Sequence, residues 1–98
     1  MDVHHELNGV RFVWHREKAR LNAARHDGIT FQQAAEVFFD PFLVVEDASR
    51  NDEARDAAIG VDASGKALYV VHIEFEGSCI RIISARKATA QERQRHDF

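Results

Sequence analysis

Arg81, Arg86, Lys87 and Arg93 all fall within the stretch CIRIISARKATAQER (residues 79–93), and His72 stands in the preceding run ALYVVHIEF (67–75). Guanidinium groups are planar, permanently charged donors suited to the oxygens of a phosphate. Imidazole exchanges a proton near neutral pH. Together these side chains could hold an anion beside a proton carrier. Glu74 or Glu53 could orient the imidazole or serve as base, and Arg55 could join them from the preceding strand. On a first helix, Lys18, Asn22 and His26 follow at i+4 steps and so share one stripe.

This cation cluster sits in a chain of net charge −3, so its distribution matters more than the sum. Residues 11–28 hold Arg11, Arg16, Lys18, Arg20 and Arg25 against Glu17 and Asp27, and the last nineteen residues are basic as well. The middle, from Glu36 to Asp56, is acidic. A basic end and an acidic end are expected, and a basic end is the electrostatic footprint of a nucleic-acid partner.

The elements that must position these groups follow from periodicity. Residues 1–9 look like a loose leader and VRFVW (10–14) reads as a strand. His15 to His26 has helical composition, stopped by Asp27-Gly28. Thr30 and Gln33 have capping-box spacing, after which Phe31, Ala34, Ala35 and Phe38 repeat as a core-facing helical stripe, ended by Asp40-Pro41. The period then becomes extended: FLVVE (42–46), the loop ASRND, AAIGVD (57–62), ALYVVHIEF (67–75) and SCIRIISA (78–85), with a closing helix from Ala88 to Arg95. The fold class is α+β, with two N-terminal helices and a C-terminal helix around a mainly antiparallel sheet.

Glu76-Gly77 is a two-residue hairpin signal, and a two-residue turn sets register. Phe75 should then oppose Ser78, Ile73 oppose Ile80, Val71 oppose Ile82 and Tyr69 oppose Ser84, making one apolar face for the helices to cover. The other face should receive His72 opposite Arg81 and Glu74 opposite Cys79, with Ala57 opposite His72 and Arg55 opposite Glu74 from the preceding strand.

With 98 residues, 45% hydrophobic and 30% charged, residues 1–98 are expected to form one small domain. Cys79 is the one cysteine, so no internal disulfide and no four-cysteine zinc site is possible, and a reducing cytoplasm fits. The N-terminus lacks a secretory pattern and no apolar run is long enough for a membrane span. Trp14, Phe31 and Phe38 read as core, and His4, His5 and His15 lack the spacing of a metal site.

Four blocks in order, FVW…EKARLNAARHDGITFQQAAEVFFDP, EARDAAIG, LYVVH and IRIISARKATAQER, resemble the BrnT family of bacterial toxins. His15 and His96 depart from it, where the family commonly has aspartate and tyrosine. The resemblance implies a RelE-like fold and metal-independent endoribonuclease activity within a type II toxin–antitoxin system, with no cofactor. Such cleavage takes the proton from a 2′-hydroxyl, stabilises charge on a phosphorane and protonates the departing 5′-oxygen. Arg81, His72, Arg86 and Glu53 are the expected catalytic groups, and Arg55, Lys87 and Lys18 the expected substrate-binding groups. The implied partner is a BrnA-like ribbon-helix-helix antitoxin, two toxins with two antitoxins, with promoter DNA reached only through the antitoxin. A non-catalytic binding module that touches nucleic acid through its basic end is the alternative, and it would bind RNA without cutting it.

Overall fold

A computed structural model describes residues 1–75 and 79–96. The chain runs β1 (Asp2–Leu7), β2 (Val10–His15), α1 (Arg16–Arg25), α2 (Phe31–Glu36) with a 3₁₀ turn (Val37–Phe39), β3 (Val44–Asp47), β4 (Asp56–Val61), β5 (Ala67–Phe75), β6 (Cys79–Lys87) and α3 (Ala90–Arg95). The six strands form one sheet in the order β1-β2-β6-β5-β4-β3, antiparallel except for the parallel pair β2 and β6. The α+β class and the closing helix hold. Both early helices follow a strand pair, β1 and β2, where a single strand over 10–14 was expected.

The leader is that strand pair. Asn8 and Gly9 take φ of 50° and 80°, the paired positive values a two-residue hairpin turn requires. Asp2 to Leu7 then pair with Val10 to His15 in continuous register, and alternate residues of β1 are half-buried. Asn-Gly between two runs of alternating residues is the sequence feature that encodes it.

The core lies between one sheet face and α1, α2 and the 3₁₀ turn. Phe12, Trp14, Ala58, Leu68, Val70, Ile82 and Ala85 supply the sheet side, and Ile29, Phe31, Ala34, Ala35 and Val37 cover them. The expected stripe of α2 is thus inward, and Thr30 and Gln33 form the capping box. Trp14 and Phe31 meet edge to face with ring centroids 5.8 Å apart.

The register of β5 and β6 differs from expectation. The proposed turn, Glu76-Gly77, lies outside the described residues, but Phe75 pairs with Cys79, Ile73 with Arg81 and His72 with Ile82, one residue away from the two-residue-turn register. A bulge between Val71 and His72 shifts the pairing again, so that Tyr69 faces Arg86. One step of register exchanges faces. Leu68, Val70 and His72 therefore point into the core, while Tyr69, Val71 and Ile73 point away from it. ALYVVHIEF is apolar at both sets of alternate positions as far as Val71, so periodicity could not choose between them. The β4 register moves likewise: Asp56, not Ala57, opposes His72.

Candidate nucleic-acid interface

Beyond the Val13–Arg81 pair, β2 leaves β6, and α1 runs along the vacated edge. Asn22 takes the place of a strand there. Its Oδ1 accepts the Ala85 N–H at 3.0 Å and its Nδ2 donates to the Ala85 carbonyl at 2.8 Å. That contact fixes which side of α1 overlooks the sheet face turned away from the core. Lys18, Leu21, Arg25 and His26 line a hollow there together with Asn22, Arg55, Ile83 and Ser84.

A second hollow adjoins it, sharing Arg55 and Ser84 and adding Arg50, Tyr69, Val71 and Arg86. Arg50 and Arg55 come from an extension of the β3–β4 hairpin. The Arg50 and Glu53 backbones exchange hydrogen bonds of 3.1 and 2.9 Å across Asn51-Asp52, whose φ values of 51° and 64° are those of a tight turn. The stretch expected as a loose loop is therefore a braced arm. The two hollows, about 350 and 420 Å³, form one trough across the uncovered part of the sheet.

One end of the trough is held by α3. Arg86 donates to both carboxylate oxygens of Glu92 at 2.7 and 2.8 Å, and its guanidinium carbon lies 4.1 Å from the centroid of the Tyr69 ring. Glu92 is buried and also accepts the Thr89 N–H, closing a capping box. The hydrogen bonds from Arg86 hold its carboxyl below the usual value despite burial. Burial pushes the Tyr69 phenol above its usual value, with Glu46 and Glu92 adding to the effect and Arg86 and Arg95 opposing it. Tyr69 thus carries its proton at neutral pH. Arg95 clasps Glu46 on β3 at 2.9 Å through two nitrogens, and His96 meets the buried Asp40 carboxylate at 2.7 Å, so α3 is tied down at both ends.

Of the residues expected from the sequence, Lys18, Arg55 and Arg86 meet in this trough. His72 does not. It is 3% exposed, its ring lies edge-on to Phe38 at 4.8 Å, and Nδ1 is 3.2 Å from the Val70 carbonyl, to which it can only donate. Arg81 opposes Ile73 rather than His72, which faces the other side of the sheet, and both its terminal nitrogens bind Asp2 on β1 at 3.3 and 2.8 Å. Lys87 points to the helix side, 3.6 Å from Asp27. Glu53 sits on the arm, accepting from Arg55 at 3.0 Å rather than orienting a histidine.

Sequence reasoning missed Tyr69 and Ser84, which depend on the register, Arg50, which depends on the arm, and Arg25, which depends on how α1 docks against β6. His26 is visible in the sequence as the end of the Lys18–Asn22–His26 stripe. It caps α1, donating its backbone N–H to Asn22, while its half-buried side chain lines the trough. Among the described residues no group of three histidine, cysteine or carboxylate side chains could hold a metal ion, and no helix is long and apolar enough to cross a membrane.

A trough lined by Lys18, Arg25, Arg50, Arg55 and Arg86, floored by a tyrosine and a serine and containing an imidazole, has the charge and proton-transfer groups that suit a phosphodiester. The comparison with protein families agrees. Residues 14–92 match the family described as the ribonuclease toxin BrnT of type II toxin–antitoxin systems, and the chain belongs to that family. The matched span includes every residue lining the trough. Membership implies an antitoxin as partner. No curated protein matches the chain.

Proposed function

We propose that this protein is a metal-independent endoribonuclease toxin, a single RelE-like domain that slows growth by cutting cellular RNA in the cytoplasm. The observation that carries the reading is the position of His26, the imidazole that opens onto the trough, among Lys18, Arg25 and Arg55. An RNA strand lies in the trough with its phosphates against Lys18, Arg25, Arg50 and Arg55. His26 takes the proton from the 2′-hydroxyl, whose oxygen attacks the adjacent phosphorus. Arg55 and Arg86 stabilise the added charge on the phosphorane, and the P–O5′ bond breaks. Tyr69, kept protonated by its surroundings, gives a proton to the departing 5′-oxygen, leaving a 2′,3′-cyclic phosphate and a 5′-hydroxyl. A BrnA-like ribbon-helix-helix antitoxin holds the toxin inactive in a complex of two toxins with two antitoxins, and promoter DNA is bound only through the antitoxin.

Purified protein incubated with RNA in EDTA tests this reading. Cleavage is expected, with a cyclic phosphate end, and His26→Ala should lower the rate by about 10²–10⁴ while the far-ultraviolet spectrum stays unchanged. Stable RNA binding without products would instead make the chain a non-catalytic binding module. Co-expression with the neighbouring antitoxin should give an inactive complex.

A further inference from the structure

We propose that a hollow at the ends of β5 and β6, separate from the trough, is a second phosphate subsite that takes the RNA strand as it leaves past Arg86. This rests on the ribonuclease reading above. The hollow, about 530 Å³, is lined by Gly65, Lys66, Ala67, Lys87, Ala88 and Arg93. Three cations from three different elements converge on it, and no carboxylate lines it.

Those cations have little structural employment. Lys66 and Arg93 are exposed and make no side-chain hydrogen bond or ion pair among the described residues. The partner of Lys87 is Asp27, at 3.6 Å, with both side chains more than half exposed, a contact worth little in water. Three like charges around one concavity repel each other, and an anion placed among them relieves that repulsion.

The scaffold holds the cations in place. Asp62 accepts from the N–H groups of Ser64 and Lys66 and from the Ser64 hydroxyl, freezing the turn that presents Lys66. The Ala88 N–H bonds to the Ala67 carbonyl, which fixes the exit from β6 against the start of β5. Arg93 rides on α3, whose position Glu92, Arg95 and His96 secure.

The two sites are coupled through the chain. Arg86 and Lys87 are neighbours on β6, one turned to the trough and the other to the hollow, and Glu92 and Arg93 repeat the division on α3. A strand that leaves the trough past Arg86 and bends over the end of β6 reaches the hollow on the other side. Lys66 and Lys87 fall within the span matched by the family, residues 14–92, and Arg93 just beyond it.

The test uses a twelve-residue 2′-O-methyl RNA, which lacks the attacking hydroxyl and stays intact, titrated in EDTA at several salt concentrations. The double variant Lys66→Ala/Arg93→Ala changes two exposed side chains and should fold normally. One lost phosphate contact should make the slope of log K against log salt shallower by about 0.7 and weaken binding severalfold at low salt. An unchanged slope and affinity, while Arg50→Ala/Arg55→Ala weakens binding, overturns the subsite and leaves the trough reading standing. No effect of either double variant, or no binding by the unmodified protein, overturns both. Inorganic phosphate that binds in a manner lost in Lys66→Ala/Arg93→Ala, while twelve-mer binding is unchanged by that variant, would make the ligand a free anion and also overturn the proposal.

Discussion

Replacing Asn22 with alanine should unfold this protein more readily than its place on a polar helix suggests. Asn22 is 6% exposed and Ala85 fully buried, and the side-chain amide supplies both partners of the Ala85 peptide groups on the open edge of β6. The same Nδ2 reaches the Ile29 carbonyl at 3.3 Å, tying the end of α1 to the core. Alanine leaves the Ala85 N–H and C=O buried without partners, at about 1–3 kcal/mol each. It returns about 0.5 kcal/mol through better helix propensity. The net loss is about 2–5 kcal/mol, a large fraction of the ~5–15 kcal/mol typical of a whole domain. In a chain of 98 residues that lowers Tm by roughly 10–30 °C. Urea unfolding followed by the fluorescence of buried Trp14 measures it, with the midpoint falling and the m-value unchanged. Asn22→Asp should do no better, since a carboxylate keeps the acceptor but turns negative charge toward two carbonyls. A loss below about 1 kcal/mol at constant m would show that the β6 edge finds other partners and that Asn22 does not set the position of α1.

His72→Ala and His26→Ala should separate stability from activity. The first empties a core position against Phe38 and should cost about 2–3 kcal/mol while preserving the cleavage rate per folded molecule; a fully stable but inactive His72→Ala would reverse the assignment. Acid should destabilise the fold through Asp40, Asp62 and Glu92. Burial alone would raise the two aspartates, but hydrogen bonds from Phe42, Val61 and His96 to Asp40, and from Ser64, Lys66 and Gln33 to Asp62, outweigh it and leave both below their usual 3.8. Glu92 is held below 4.5 chiefly by Arg86. Folded values below unfolded ones mean that this stabilisation is complete above about pH 5 and is lost as pH falls through the lower folded values. The urea midpoint should therefore drop steeply below about pH 4, and less steeply in Asp40→Asn; identical acid limbs in the two proteins would rule Asp40 out as a contributor.

The sequence by itself determined the elements that repeat a single signal. Thr30 and Gln33 with the Phe31, Ala34, Ala35 stripe could only be a capped, inward-facing helix, and the α+β order and the basic character of both ends were legible without coordinates. The family blocks carried the ribonuclease reading, which no periodicity contains. What the sequence left open was decided by register. In ALYVVHIEF both alternate sets are apolar as far as Val71, so local preference was equal on the two faces. The choice depended on how the strand met β6, where pairing starts at Phe75–Cys79 and shifts at the bulge. That choice buried His72 beside Phe38, turned Tyr69 toward Arg86, and separated the expected His72–Arg81 pair onto opposite faces of the sheet. Arg81 went to Asp2, a residue in the segment read as a leader. A site built from α1, the arm, β5, β6 and α3 is a set of long-range coincidences. Spacing along a chain reports which residues share one element's face, whereas only packing decides which faces meet.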